Sequence, residues 1–133
     1  MGKKQEYKQK NEEYLKEVSQ REGIKVLPHG ILYEIIKEGT GEGKVQSRSI
    51  VTCNYRGSLI SGKVFDDSWQ RGVPEAFRVN ELITGFQIVL CAMHKGDHWR
   101  VYIPYQDGYG MKRDGDIPAF STLIFEIELI GIG

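Results

Sequence analysis

Two hydrophobic periods run through this chain, and the elements change where the period changes. From Ile31 the spacing is two: Ile31, Tyr33 and Ile35 alternate with Leu32, Glu34 and Ile36, and Val51, Cys53 and Tyr55 alternate with Thr52, Asn54 and Arg56. Successive side chains of a strand point to opposite faces, so both segments predict strands. Trp99, Val101 and Ile103 against Arg100 and Tyr102 predict another, and Leu123, Phe125, Ile127 and Leu129 against Glu126 and Glu128 a last one. Antiparallel pairing with one wet face fits such alternation. Between Asn80 and Met93 the period lengthens, and Phe86, Val89, Leu90 and Met93 recur at three and four, as on one buried helical face. Thr84 is the expected N-cap and Lys95-Gly96-Asp97 the expected stop. One short helix lying across a twisted antiparallel sheet is the simplest arrangement that buries these stripes. The expected class is α+β.

The stretch from Lys3 to Glu22 reads differently. Eleven of its residues are charged, none is Gly or Pro, and Tyr7, Tyr14, Leu15 and Val18 form a thin helical stripe. This predicts a mostly solvated helix, either a lead-in without a role or an element that packs on the domain or a partner. Leu27-Pro28-His29-Gly30 breaks it, because Pro disfavours helix in the residue before it and Gly permits a turn. The expected division is a charged helical extension, residues 1–23, and one globular domain, residues 24–133. A chain of 133 residues with 40% hydrophobic content supports one core rather than two.

Composition narrows the partners. The 18 basic and 18 acidic residues cancel, which removes the overall field that draws proteins to nucleic acid or to anionic membranes. No run of about 18 apolar residues would span a bilayer, and the N-terminus lacks the apolar stretch of a signal peptide. Met1-Gly2 is no myristoylation signal, since position 6 is Glu. The chain as given is expected to be soluble, and no spacing in it names a compartment. Cys53 and Cys91 match no metal-ligand spacing and are expected to be small buried residues without a disulfide.

Few residues invite bond-making chemistry. His29, His94 and His98 fall in a turn, at a helix end and at a strand start, with no spacing for a metal or a nucleophile-base pair. Ser58, Ser61 and Ser68 sit in turn chemistry, and Glu38 to Gly43 lacks the signature of a phosphate loop. Neither a metal nor a cofactor is expected. What stands out is Tyr55 to Ser68: a strand, a Gly-bounded turn, and a second strand ending Phe65-Asp66-Asp67. Paired, these strands bring Tyr55, Phe65 and Asp66 together as the start of an apolar pocket with one polar fixture. Adjacent strand residues face opposite ways, so Asp67 is expected to be a bystander.

Five motifs then fall in register. Val51-Thr52-Cys53-Asn54-Tyr55-Arg56-Gly57, Gly62-Lys63-Val64-Phe65-Asp66, Leu82-Ile83-Thr84-Gly85-Phe86, Asp107-Gly108-Tyr109-Gly110 and Thr122 to Leu129 occur in the order and approximate spacing of FKBP-type peptidyl-prolyl isomerases. The chain resembles that family from Ile31 to Ile130. Its charged helix and the segment Gly23 to Tyr33 are similar to the bacterial branch related to macrophage infectivity potentiators, where a longer helical region serves as a dimerisation arm. The resemblance implies an FKBP-like sheet wrapped around one short helix, and accelerated rotation about X-Pro bonds in support of protein folding. The alternative is a non-catalytic partner-binding or chaperone module on the same fold.

Carried over position by position, the resemblance implies catalytic roles for Asp66, Tyr55, Phe65, Ile83 and Tyr109. It implies substrate contacts for Phe77, Leu82, Phe86, Ile117, Phe125 and Arg71. The Ile83 N–H and the Tyr109 phenol would be donors to substrate carbonyls, with Asp66 oriented by Tyr55 and Arg71. Phe86 stands where the family has an indole floor, which keeps an aromatic surface and loses an N–H. The segment Met111 to Asp116 is shorter than in many relatives. Implied partners are proline-containing segments of client proteins, macrolide inhibitors, and a second copy bound through the N-terminal helix.

Overall fold

A computed structural model describes residues 2–133. Helix α1, Lys3–Ser19, opens the chain and is followed by β1, Lys25–Val26, and β2, Leu32–Lys37. Then come β3, Ile50–Ser58, and β4, Val64–Asp67. A one-turn helix, α2, Ser68–Arg71, separates β4 from β5, Glu75–Arg78. Helix α3, Thr84–Ala92, precedes β6, His98–Ile103, and β7, Leu123–Ile132. The strands make one antiparallel sheet in the order β1-β2-β6-β7-β3-β4, with β5 also paired to β3.

Strand β3 is the hub. One edge pairs with β7, Tyr55 opposite Ile127, and the other is divided between β4, Arg56 opposite Asp67, and β5, Val51 opposite Phe77. Helix α2 occupies the interval between those two partners. It starts because Asp67 Oδ1 accepts from the Gln70 N–H at 3.2 Å, and it stops at Gly72, whose φ of +80° is the left-handed conformation that glycine adopts without penalty.

The inner face of the sheet carries the main core against α3. Phe86, Val89, Leu90 and Met93 are all buried, together with Val51, Cys53, Val101, Leu123 and Ile127. Three local expectations change. The N-cap is Ile83 rather than Thr84, because the extended backbone persists through Ile83 (φ −56°, ψ 150°), and no side chain caps the helix. The helix ends at Ala92, Met93 is already extended, and Gly96 at φ +88° turns the chain toward β6. Cys91 is exposed, since a step of about 100° from buried Leu90 carries it off the packed face. Cys53 is buried, and burial pushes its thiol up to about 12.

The outer face is not wholly wet. Tyr14, Leu15 and Val18 of α1 cover Leu32, Tyr102 and Ile124 in a second buried cluster. This accounts for apolar residues on both sides of the start of β2: Ile31 enters the main core and Leu32 lies under α1. Away from α1 the face turns polar. The Arg100 Nε–H donates to the Tyr102 hydroxyl at 3.0 Å, and that hydroxyl donates to Glu34 at 3.0 Å. Ser58 closes β3 rather than sitting in the turn. No helix among the described residues is long and apolar enough to cross a membrane.

The phase of α3 is testable by denaturation in urea. Leu90→Ala is expected to cost about 2–5 kcal/mol, and Cys91→Ser to stay within about 0.5 kcal/mol. Comparable losses at the two positions would contradict the assignment of the buried face.

Candidate functional site

The alternation of β3 turns Tyr55 inward, and the antiparallel register that sets Gly57 opposite Asp66 brings β4 alongside it. At this level Phe65 and Asp66 of β4, Phe77 of β5, Phe125 of β7 and Phe86 of α3 converge with Tyr55, Leu82, Ile83 and Tyr109 around a cavity of about 300 Å³. Glu81, which no motif singled out, stands in the same wall.

Close approach at Gly57 makes the cavity possible. A Cβ there would lie 2.6 Å from Phe65 Cζ and 2.7 Å from Phe125 Cε1. Glycine inside a strand often marks such an approach, so this signal was present in the sequence. The rings then meet edge to face: Phe65 and Phe125 at 5.7 Å and 86°, Phe86 and Phe125 at 5.1 Å and 80°, Tyr55 and Phe86 at 6.2 Å and 89°. Rings prefer this geometry because the positive edge of one faces the negative face of the next.

Asp66 is the charged group of that wall whose two oxygens are both engaged. The Tyr55 hydroxyl donates to its Oδ2 at 2.5 Å and Arg71 Nη1 to its Oδ1 at 2.5 Å, while Arg71 Nη2 donates to the Tyr55 oxygen and to Glu75, each at 3.2 Å. Partial burial pushes the Asp66 carboxyl upward, but the phenol and the guanidinium outweigh it and hold the pKa below the usual carboxylate range. Burial, then the bond to Asp66, pushes the Tyr55 phenol up to about 12. Burial, then the negative charges of Asp114 and Asp66, raises Tyr109. Neither the Tyr109 hydroxyl nor the Ile83 N–H has a hydrogen-bond partner among the described residues, so both donors remain available to a ligand.

The placement of Arg71 depends on residues the motifs passed over. Buried Ser68 accepts from the Tyr55 N–H at 2.8 Å and donates to Asn54 Oδ1 at 3.0 Å, which ties α2 to β3. Asp67 is no bystander: it caps α2 and pairs with Arg56 Nε at 3.0 Å. Helix α2 is too short for a periodic pattern, yet a capping Asp67 and a closing Gly72 around four residues were its available signals.

Two expected contacts fall elsewhere. Ile117 is buried in the main core, turned inward by its bridge to Asp114, and does not line the cavity. Arg71 reaches Asp66 from outside and lines an adjoining groove of about 440 Å³ with Phe65 and Gln70. A larger groove of about 500 Å³ lies between α1 and the turn at Tyr105–Asp107, but its walls bring together no comparable aromatic surface. No group of three or more His, Cys, Asp or Glu among the described residues could hold a metal ion. His29 sits 2.8 Å from Asp107, and His98 stacks on Trp69.

A wrapped antiparallel sheet whose inner helix begins at an aromatic cavity, with one clamped carboxylate in the wall, defines an FKBP-like α+β domain. The chain belongs to the family described as FKBP-type peptidyl-prolyl cis-trans isomerase, whose model matches residues 41–130. A second model, the domain amino terminal to FKBP-type peptidyl-prolyl isomerase, matches residues 1–35. FkpA of Buchnera aphidicola, named an FKBP-type peptidyl-prolyl cis-trans isomerase, is 40% identical over 119 residues, which is 90% of this chain and 47% of that protein. A crystal structure of a peptidyl-prolyl cis-trans isomerase from Pseudomonas syringae superposes with a TM-score of 0.90 at 34% identity, covering 100% of this chain and 98% of that one. The crystal structure of Escherichia coli FkpA gives 0.89 at 34% identity, over 96% of this chain and 59% of that one. The chain spans about half the length of the curated relatives it matches.

Removing either partner of Asp66 is expected to move its titration upward. Because its folded-state pKa lies below the unfolded value of about 3.9, the stability it contributes is complete above that value and is lost as pH falls through the folded pKa. Carboxylate ¹³C titration of Tyr55→Phe and Arg71→Met should therefore give a higher Asp66 pKa than wild type, with less stability left to lose in acid. An unmoved titration would remove both residues from the clamp.

Proposed function

We propose that this chain accelerates cis-trans rotation about X-Pro bonds of client polypeptides and so assists their folding, with the proline ring seated in the aromatic cavity. The observation that carries the proposal is a carboxylate, Asp66, held ionised beside the rings of Phe65, Phe77, Phe86 and Phe125 in one cavity wall. Rotation breaks no covalent bond. Amide resonance sets a barrier of about 18–20 kcal/mol, and X-Pro bonds isomerise over roughly tens to hundreds of seconds without help. A catalyst needs only to favour the twisted, unconjugated amide over the planar one. A dry aromatic cavity removes the water that solvates the planar carbonyl. In this reading Phe65, Phe77, Phe86 and Phe125 supply that surface, and the fixed charge of Asp66 faces the carbonyl dipole as it turns. The Ile83 N–H and the Tyr109 hydroxyl hold flanking carbonyls, and Tyr55 and Arg71 keep Asp66 aimed and charged.

Two further partners belong to this reading. A macrolide would occupy the same cavity, with less surface and one donor fewer than an indole floor would offer. A dimer through α1 would have to use the charged outer face of that helix, because Tyr14, Leu15 and Val18 are committed to its own domain. Residues 1–23 then act as an appendage of the isomerase domain, 24–133, rather than as an independent unit.

A protease-coupled assay on an X-Pro peptide should find activity in the whole chain and a drop in kcat/KM on the order of tenfold or more, at least about 1.4 kcal/mol, for Asp66→Ala and for Phe65→Ala. An inactive wild type, or indifference to both changes, would leave the chain a non-catalytic binding module. Phe86→Trp should tighten macrolide binding in a fluorescence titration, since it enlarges the aromatic floor and restores a donor. Unchanged or weaker binding would remove residue 86 as the determinant.

A further inference from the structure

The N-terminal half of α1 grips the loop that carries Tyr109. Asn11 is 1% exposed and uses both ends of its amide: Nδ2 donates to the Tyr7 carbonyl at 2.8 Å, and Oδ1 accepts from the Thr122 N–H at 2.7 Å. The Tyr7 hydroxyl meets Ser121 Oγ at 2.9 Å, and the ammonium groups of Lys4 and Lys8 stand 5.8 Å and 5.4 Å from the ring centroid of Phe120. Phe120 is held at φ +67°, a conformation that non-glycine residues adopt rarely. Its N–H donates to the Gly110 carbonyl at 2.9 Å, its ring packs edge to face on Tyr105 at 5.0 Å, and the Gly110 N–H donates to the Tyr105 carbonyl at 2.9 Å. Both backbone groups of Gly110 are thus fixed, one residue from the cavity-lining Tyr109. A continuous set of polar and aromatic contacts runs from α1 to the site.

We propose that α1 is a clamp on this loop, with Asn11 and Tyr7 as positioning residues that aim the Tyr109 hydroxyl at the substrate. The inference rests on the isomerase reading above. The Tyr109 donor serves the planar and the twisted amide alike, so loosening it removes uniform binding and raises KM more than it lowers kcat. Val18, near the opposite end of the helix, packs with Leu32, Tyr102 and Ile124 on the sheet, so it separates loop positioning from general loosening of α1.

The test compares Asn11→Ala, the milder Tyr7→Phe and the control Val18→Ala in the whole chain, by amide hydrogen exchange and by kinetics on an X-Pro peptide. Asn11→Ala should speed exchange at Gly110 and Phe120 on the order of tenfold and raise KM severalfold with kcat little changed. Tyr7→Phe should do the same to a smaller extent, and Val18→Ala should leave KM and both amides near wild type. Unchanged exchange at Gly110 and Phe120 in both loop-facing variants would overturn the clamp, whatever the activity. Faster exchange with unchanged KM, or an equal rise in KM for Val18→Ala, would overturn the positioning role. An inactive wild type would overturn the isomerase reading and with it the catalytic half of the proposal, while the exchange data would still decide the clamp.

Discussion

Strand β3 pairs with β7 along one edge and must share the other between β4 and β5, which cannot both run past the same residues. The chain resolves this by leaving the sheet for one turn, and that turn is α2. Its position is not free, since buried Ser68 bonds the Tyr55 N–H and the Asn54 side chain on β3 itself. Once α2 is tied there, Arg71 at its end comes within reach of Asp66 at the end of β4. The divided edge thus determines where the guanidinium stands. Asp67 serves the same end by opening the helix and engaging Arg56.

A carboxylate beside four phenylalanines is an unfavourable arrangement unless its charge is matched. Desolvation alone would raise its pKa and invite neutralisation. Here a phenol and a guanidinium occupy both oxygens, and their net effect is to hold the group more acidic than in water. The guanidinium also bonds the phenol oxygen, so Tyr55 cannot swing away without breaking two contacts at once. Arg71 approaches from the adjoining groove and does not itself line the cavity. The carboxylate keeps its charge beside these rings because the compensating cation bonds it from the adjoining groove.

The strands and the buried face of α3 were legible because burial on one side imposes a period, and Phe86, Val89, Leu90 and Met93 obey it. Residue type alone points Cys91 inward, whereas its helical phase, one step past Leu90, places it outside. Side-chain chemistry favours Thr84 as a cap, whereas the backbone makes its transition at Ile83 with no side-chain cap at all. The aromatic wall was readable from motif order, but Ile117 was not separable from it, since a bridge to Asp114 three residues away decides which way it turns. Least legible were contacts between distant segments. Asn11 meets Thr122 across 111 residues, and a single polar residue in a charged helix carries no period that would disclose it.

The directions in which the site's groups titrate bear on what the site can do. Acid-base catalysis favours groups brought toward neutral pH, where they both gain and lose a proton readily. Here each shift runs the other way: Asp66 is held below the ordinary carboxylate range, while Tyr55 and Tyr109 are raised above the ordinary phenol value. Across neutral pH Asp66 therefore keeps its negative charge, and Tyr55 and Tyr109 keep their hydroxyl protons. Such a site is poorly suited to shuttling protons and well suited to a fixed electrostatic field. Rotation about an amide is favoured by a field of that kind, because the reacting group changes its dipole and its solvation without exchanging a proton with the protein.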